Sequence, residues 1–321
     1  MIKEIINSFL LSILIMGFFI AGYLLYLEIP RESQELNIQE INTSSGLSEN
    51  IDITEFNENK SIETPQFYKN MRFNHNNISY NINSECSDEK QEKMILGFQE
   101  IQRRVGIIRF YKTSEELADI KVYCSEDSIE KNENVFIVGE GGPSSIINSS
   151  LYPVIEGGTI LLYKSSKCDE PLTEIHELMH VFGFDHINDT KNILNPYLDC
   201  KQELSQEHIN KLIELYSVEP LPDLYFENAN ATISGRYLSF DVSVKNQGLI
   251  NAKDVFLKIY SEDKFIEEFE LGEIKFGAGK RFYVKNLKLP ALSINKIKLK
   301  IISENNELIE NNNIINLESK N

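Results

Sequence analysis

The feature that most constrains this chain is the run T-E-I-H-E-L-M-H-V-F-G-F-D-H-I at residues 173–187. His176 and His180 stand four residues apart, so on a helix they project from one face, a turn apart. Two imidazoles so placed can share one tetrahedral Zn²⁺. Glu177 neighbours the first histidine, where a carboxylate reaches a water on the metal without being a ligand. Gly183 can take a positive φ, which ends the helix and turns the chain back, bringing His186 round as a third ligand. Three protein ligands leave one position for water, the arrangement of a catalytic rather than a closed structural zinc. The run uses three of the chain's five histidines. The other two, His75 and His208, read as surface residues rather than as ligands of a second zinc. No Asp-rich loop points to calcium.

The 321 residues allow two or three domains, and a hydrophobic share of 41% is enough for real cores. A net charge of −17 repels phosphate backbones, so nucleic acid is not expected as a partner. Residues 5–26 carry no charge. As a helix they reach about 33 Å, enough to cross a hydrocarbon core of about 30 Å. Residues 1–28 therefore read as a transmembrane signal-anchor helix. A cleaved signal peptide is the competing reading, but Ala21-Gly22 is followed by Tyr23, Leu24 and Leu25, which suits cleavage poorly. Lys3 and the α-amino group precede the span, and Glu28, Arg31 and Glu32 follow it. The expected placement is single-pass in the cell membrane, with the N-terminus cytoplasmic and the body extracellular. Four cysteines, none in a CxxC pair, fit an oxidising exterior. Three pairings are open, and the sequential one, Cys86–Cys124 and Cys168–Cys200, is the expectation. The second bridge would bracket the histidine run and add roughly 3–4 kcal/mol by loop closure.

Between residues 31 and 65 eight acids face two bases and apolar residues recur without period, so residues 29–65 read as an acidic flexible linker. Residues 66–219 mix strands and helices. A strand is expected at 73–82, and a helix follows Ser87 with Met94, Phe98, Ile101 and Val105 on one face and Gly106 at its end. Strands are expected at 107–111, 120–123 and 135–138, then a turn region at 139–143 with three glycines, and a β-prone run at 159–163. Ser205 caps a last helix bearing Ile209, Leu212, Ile213 and Tyr216. Residues 220–321 alternate apolar and polar over six or seven short strands, the pattern of a β-sandwich.

The run His176-Glu177-Leu178-Met179-His180-Val181-Phe182-Gly183-Phe184-Asp185-His186 resembles the zinc signature of the metzincin metallopeptidases, closest to the matrixin-like group. The resemblance extends over residues 68–216, including the Ala118-Asp119-Ile120 and Gly158-Thr159-Ile160-Leu161 strand starts. It implies one catalytic Zn²⁺ on His176, His180 and His186. It also implies a peptide or protein substrate, hydrolysed by a zinc-held water with Glu177 as general base. The substrate is expected to lie extended along residues 159–163 as an added strand. In metzincins a Met-containing turn underlies the metal. Here the matching segment is Asn192-Ile193-Leu194-Asn195-Pro196-Tyr197, which puts Leu194 where Met would stand, an apolar swap of similar volume. Ile187 follows the third histidine where matrixins often carry Ser, and the cysteine-switch motif of their pro-segments is missing. The C-terminal part is similar to CARDB-type, immunoglobulin-like modules. Pro222-Asp223-Leu224, Val244-Lys245-Asn246-Gln247-Gly248 and the Asn-rich run at 305–312 carry that likeness.

The expected architecture is multi-domain: an N-terminal transmembrane helix, an α+β metzincin-like zinc peptidase domain, and a C-terminal all-β immunoglobulin-like sandwich. The expected function is that of a membrane-anchored, outward-facing zinc endopeptidase whose sandwich binds a surface ligand. The alternative is a cell-surface binding or adhesion protein whose peptidase-like domain holds zinc but cleaves weakly or not at all.

Overall fold

The computed structural model describes residues 16–17, 19–20, 35–41, 64–127, 129–132, 135–163, 168–261, 263–290 and 296–318. The anchor expected within residues 1–28 falls outside these, except for Met16, Gly17, Phe19 and Ile20, which are helical and exposed. Among the described residues no helix is long and apolar enough to cross a membrane.

The stretch expected to be linker contains a strand, β1 (Glu35–Ile41). Its Leu36-Asn37-Ile38-Gln39 alternation suits a strand, but the acids around it mask that period when composition is read over the whole segment. β1 pairs with the C-terminal domain, described below.

The first folded unit carries a mostly parallel sheet. Its strands are β2 (Arg72–Phe73), β3 (Asn77–Ile82), β4 (Arg109–Lys112), β5 (Ile120–Cys124), β8 (Gly139–Ile147) and β9 (Val154–Leu162). A small hairpin of β6 (Ile129–Asn132) and β7 (Val135–Ile137) lies between β5 and β8. The sheet order is β2-β9-β5-β3-β4, and β8 pairs antiparallel with β9. The glycine-rich residues expected to turn at 139–143 are therefore the first half of β8.

Three helices complete this unit: α1 (Asp88–Val105), α2 (Leu172–Val181) and α3 (Gln206–Ser217). Ser87 caps α1 by accepting from the Lys90 N–H, and Gly106 closes it at φ 79°. The apolar stripe Met94, Phe98, Ile101 and Val105 is buried against the sheet and α2, as its spacing requires. Cys86–Cys124 ties the start of α1 to β5, and Cys168–Cys200 closes the loop that contains α2.

Arg72 is fully buried, and its guanidinium donates to the carbonyls of Leu215 and Val218 at the end of α3. It also lies 4.6 Å from the centre of the Tyr216 ring. A helix C-terminus offers orphan carbonyls and partial negative charge, which is how this position accommodates a buried cation.

The second unit is a sandwich of two four-stranded sheets. Its own strands are β10 (Leu224–Ser234), β11 (Tyr237–Asn246), β12 (Ala252–Ser261), β13 (Lys264–Ile274), β14 (Gly279–Lys288), β15 (Lys296–Ile302) and β16 (Ile314–Glu318). The sheets are ordered β1-β14-β11-β10 and β13-β12-β15-β16. β1 completes the first sheet, with Leu36 opposite Val284 and Ile38 opposite Phe282. It thereby covers what would otherwise be the open edge of β14.

Candidate metal centre

α2 presents His176 and His180 one turn apart, with ring centroids 4.6 Å from each other. The helix ends in a full Schellman motif. Gly183 takes φ 84°, its N–H donates to His180 O at 2.9 Å, and the Phe184 N–H donates to Met179 O at 3.1 Å. The chain then doubles back and delivers His186. Its Nε2 lies 3.2 Å from Nε2 of His180, which lies 2.9 Å from Nε2 of His176.

Hydrogen bonding fixes the tautomers of two of these rings. His176 Nδ1 stands 2.6 Å from Ile193 O and His180 Nδ1 stands 2.7 Å from Phe184 O. A carbonyl only accepts, so each Nδ1 carries the proton and each Nε2 presents a lone pair. Burial holds both rings neutral, depressing His176 to about 4 and His180 to about 3. Bare lone pairs converging in a buried site repel one another unless a cation lies between them. Tetrahedral zinc with bonds of about 2.0–2.1 Å sets its nitrogen ligands roughly 3.3 Å apart, and the observed separations sit at and just inside that figure. Among the described residues this trio is the only group of His, Cys, Asp and Glu able to hold a metal. The residues present fit zinc.

Leu194 is fully buried, next to Ile193, whose carbonyl meets His176 Nδ1. Its segment is held by the Asn192 carboxamide, which accepts from the Leu194 N–H at 3.0 Å. The Ile187 N–H donates to Leu194 O at 3.0 Å, tying this segment to the third histidine. Tyr197 is 67% exposed.

Glu177 is 4% exposed. Burial, then the negative charges of Glu140 and Glu174, push its carboxyl up to about 8, while the Gly141 N–H donates to it and opposes the rise. The backbone of β8 passes directly over this residue. A Cβ at Gly139 would stand 2.7 Å from Glu177 Oε1, and one at Gly141 2.4 Å from Glu177 O. Those two glycines therefore belong to the site. The alternation Gly139-Glu140-Gly141 was the only signal in the sequence, and it resembles a turn as closely as a strand.

Two sequence expectations need correction. Residues 159–163 lie mostly in β9, which is paired on both sides, to β5 and to β8. No extended peptide can add there. Among the described residues the outer edge of β8 has no strand beside it. His208 is not on the surface but fully buried, with Nδ1 2.8 Å from Ser205 Oγ and its ring edge-on to Phe184. His75 is partly exposed, with Nε2 3.6 Å from the Asp119 carboxylate. Neither joins the trio.

A mixed sheet over a histidine helix, a Gly-turned third histidine and a buried neighbouring glutamate define a metallopeptidase-type domain. Residues 72–217 match the family model of the matrixins, and residues 221–317 match that of the CARDB domain. The chain thus carries a matrixin domain followed by a CARDB domain. Solved structures similar to the C-terminal part include the CARDB domain of the PF1109 protein from Pyrococcus furiosus, in complex with di-metal ions. It is 18% identical, covers 30% of this chain and 86% of that one, and has a TM-score of 0.26. A domain of a Methanosarcina acetivorans protein assigned to the cell surface is 14% identical, covers 30% of this chain and 88% of its own, and has a TM-score of 0.26. No curated protein matches.

Proposed function

We propose that this chain is a membrane-anchored, outward-facing zinc endopeptidase. The observation that carries the reading is the trio of Nε2 lone pairs, two of them fixed by carbonyl-bound Nδ1 atoms, beside a buried carboxyl at Glu177. When bound, zinc supplies Lewis acidity, polarising a carbonyl and making water more acidic. The chain's own residues do the rest. His176, His180 and His186 would hold the ion and leave one position for water. Glu177 takes a proton from the attacking water and returns it to the leaving amine. Burial and its acidic neighbours raise its proton affinity, a nearby dication lowers it, and the two opposed effects suit a residue that must both take and give a proton. The outer edge of β8, which among the described residues has no strand beside it, passes over Glu177 and offers main-chain groups to an extended peptide. Two disulfides support placement outside the cell. The charge-free stretch at residues 5–26 supports an anchor.

The test compares the full chain with Glu177→Ala, measuring zinc per chain and cleavage of a denatured protein mixture. The expected result is zinc in both and cleavage only by the parent, a difference of about 10²–10⁴-fold in rate. Equal hydrolysis by the two contradicts the role given to Glu177. Zinc in both and cleavage by neither favours the surface-binding alternative.

A further inference from the structure

Between residues 139 and 142, β8 reads Gly-Glu-Gly-Gly, so Glu140 is its one side chain there. The Tyr163 N–H donates to Val138 O at 3.0 Å. The alternation of an antiparallel pair then turns the main-chain groups of Glu140 and Gly142 towards β9, and those of Gly139 and Gly141 outward. Side chains alternate between the two faces in the same way. A Cβ at Gly139 or Gly141 would run into Glu177. Glu140 and Gly142 therefore point to the opposite face of the sheet, away from α2. Gly142 is free of both usual demands on a glycine: its φ is not positive, and a Cβ there would meet nothing within 4 Å. It leaves open space on the outer face beside Glu140.

Glu140 is exposed. The Tyr163 phenol donates to its carboxylate. Burial, then Glu140 and Asp127, raise that phenol above its ordinary value, so it stays a donor. One such bond orients the carboxylate and leaves lone pairs for a further donor. Among the described residues no Lys or Arg forms an ion pair with Glu140. Lys121, the base that β5 presents to this face, stands opposite Thr159, which stands opposite Gly142, so it is two strands away, about 10 Å. Glu156 lies further along the hairpin, where Ser145 donates to it. The surroundings of the β8 edge are thus acidic. After burial, Glu140 is the strongest influence on the Glu177 carboxyl, which places it beside the residue that works on the scissile bond.

We propose that Glu140 selects the substrate: peptides with a lysine or arginine facing it across the β8 edge, within two residues of the bond cleaved, are preferred. The proposal rests on the reading of the chain as a zinc endopeptidase whose substrate adds to β8. A peptide added antiparallel meets Glu140 in a non-hydrogen-bonded pair, with Cα atoms about 4.5 Å apart, the closer of the two spacings. Opposite charges so paired attract, and like charges repel. No neighbouring side chain competes, because the other three residues of this stretch are glycine. The open space over Gly142 admits the long apolar stem of a lysine or arginine.

The full chain is given a denatured protein mixture, and the cut sites are read by mass spectrometry. Lys and Arg should be enriched at one position within two residues of the cut. Two peptides spanning one such site, with Lys or with Gln at that position, should differ in kcat/KM by about two- to fivefold in favour of Lys, the size of an exposed cross-strand ion pair. Glu140→Gln should bring the ratio near one, and Glu140→Asp should keep part of it. Glu140→Lys should turn the preference to a third peptide with Glu at that position. The ratio cancels any effect of a variant on Glu177 or on folding, which all the peptides share. High salt should shrink the ratio of the parent. No enrichment, or a ratio that Glu140→Gln leaves unchanged, overturns the proposal while sparing the peptidase. A parent that binds zinc and cleaves nothing overturns the peptidase reading and this one with it.

Discussion

The two domains bury different things. In the sandwich, β11 and β12 face each other with Leu238, Phe240, Val242 and Val244 against Val255, Leu257 and Ile259. Its buried carboxylate, Asp223, sits at the end facing the matrixin domain, where Asn312 and Gln247 donate to it. The matrixin domain has a comparable apolar core but threads ionisable groups through it: Arg72, Glu174, Glu177, His180 and His208 are all buried. Glu174 Oε2 and His208 Nε2 have no hydrogen-bond partner. Burying such groups is costly. Both disulfides lie in this domain. The contrast teaches that the sandwich is held by its own packing, whereas the matrixin domain carries groups that oppose folding and is cross-linked around them.

The largest effect that would sharpen this contrast is Phe240→Ala. Removing a fully buried ring should cost about 3–5 kcal/mol, read as a lower denaturant midpoint for the sandwich. Zinc should be retained through that transition. Zinc loss coincident with sandwich unfolding would break the contrast by making the two domains one cooperative unit. Next, Cys168→Ser with Cys200→Ser should lower the matrixin-domain transition by roughly 3–4 kcal/mol and leave the sandwich transition unmoved.

His208 gives a pH signature of similar size. Burial depresses it to about 4 from an ordinary 6.5. Between those values the unfolded chain takes up a proton that the folded chain refuses. The contribution of neutral His208 is therefore complete above pH 6.5 and is lost as the pH falls towards 4, by roughly 3 kcal/mol. His208→Leu should flatten that part of the stability curve, measured by denaturation across the window. The smallest effect is expected of Leu194→Met, a swap of similar volume beside Ile193. It should change stability by less than about 1.5 kcal/mol and leave zinc content unaltered.

The same contrast governed what the residues disclosed beforehand. The sandwich strands follow from period-2 alternation because one face of each strand is buried. The histidine trio follows from the i, i+4 spacing and a glycine at the helix end, both local facts. What stayed hidden depends on tertiary neighbours. Gly139 and Gly141 lack side chains because Glu177 lies against them, and nothing local distinguishes that from a turn. β1 is a strand because β14 is beside it. His208 sits on the face of α3 that meets Phe184, a contact no spacing reveals. Arg72 reads as a solvated base until the end of α3 is placed over it.

The central claim is that three imidazole nitrogens hold the metal with one position open. The most direct test is X-ray absorption at the zinc edge on the full chain. The expected first shell is three imidazole nitrogens and one oxygen at about 2.0 Å. A folded protein that takes up no zinc, or a shell containing sulfur or fewer than three imidazoles, would contradict it.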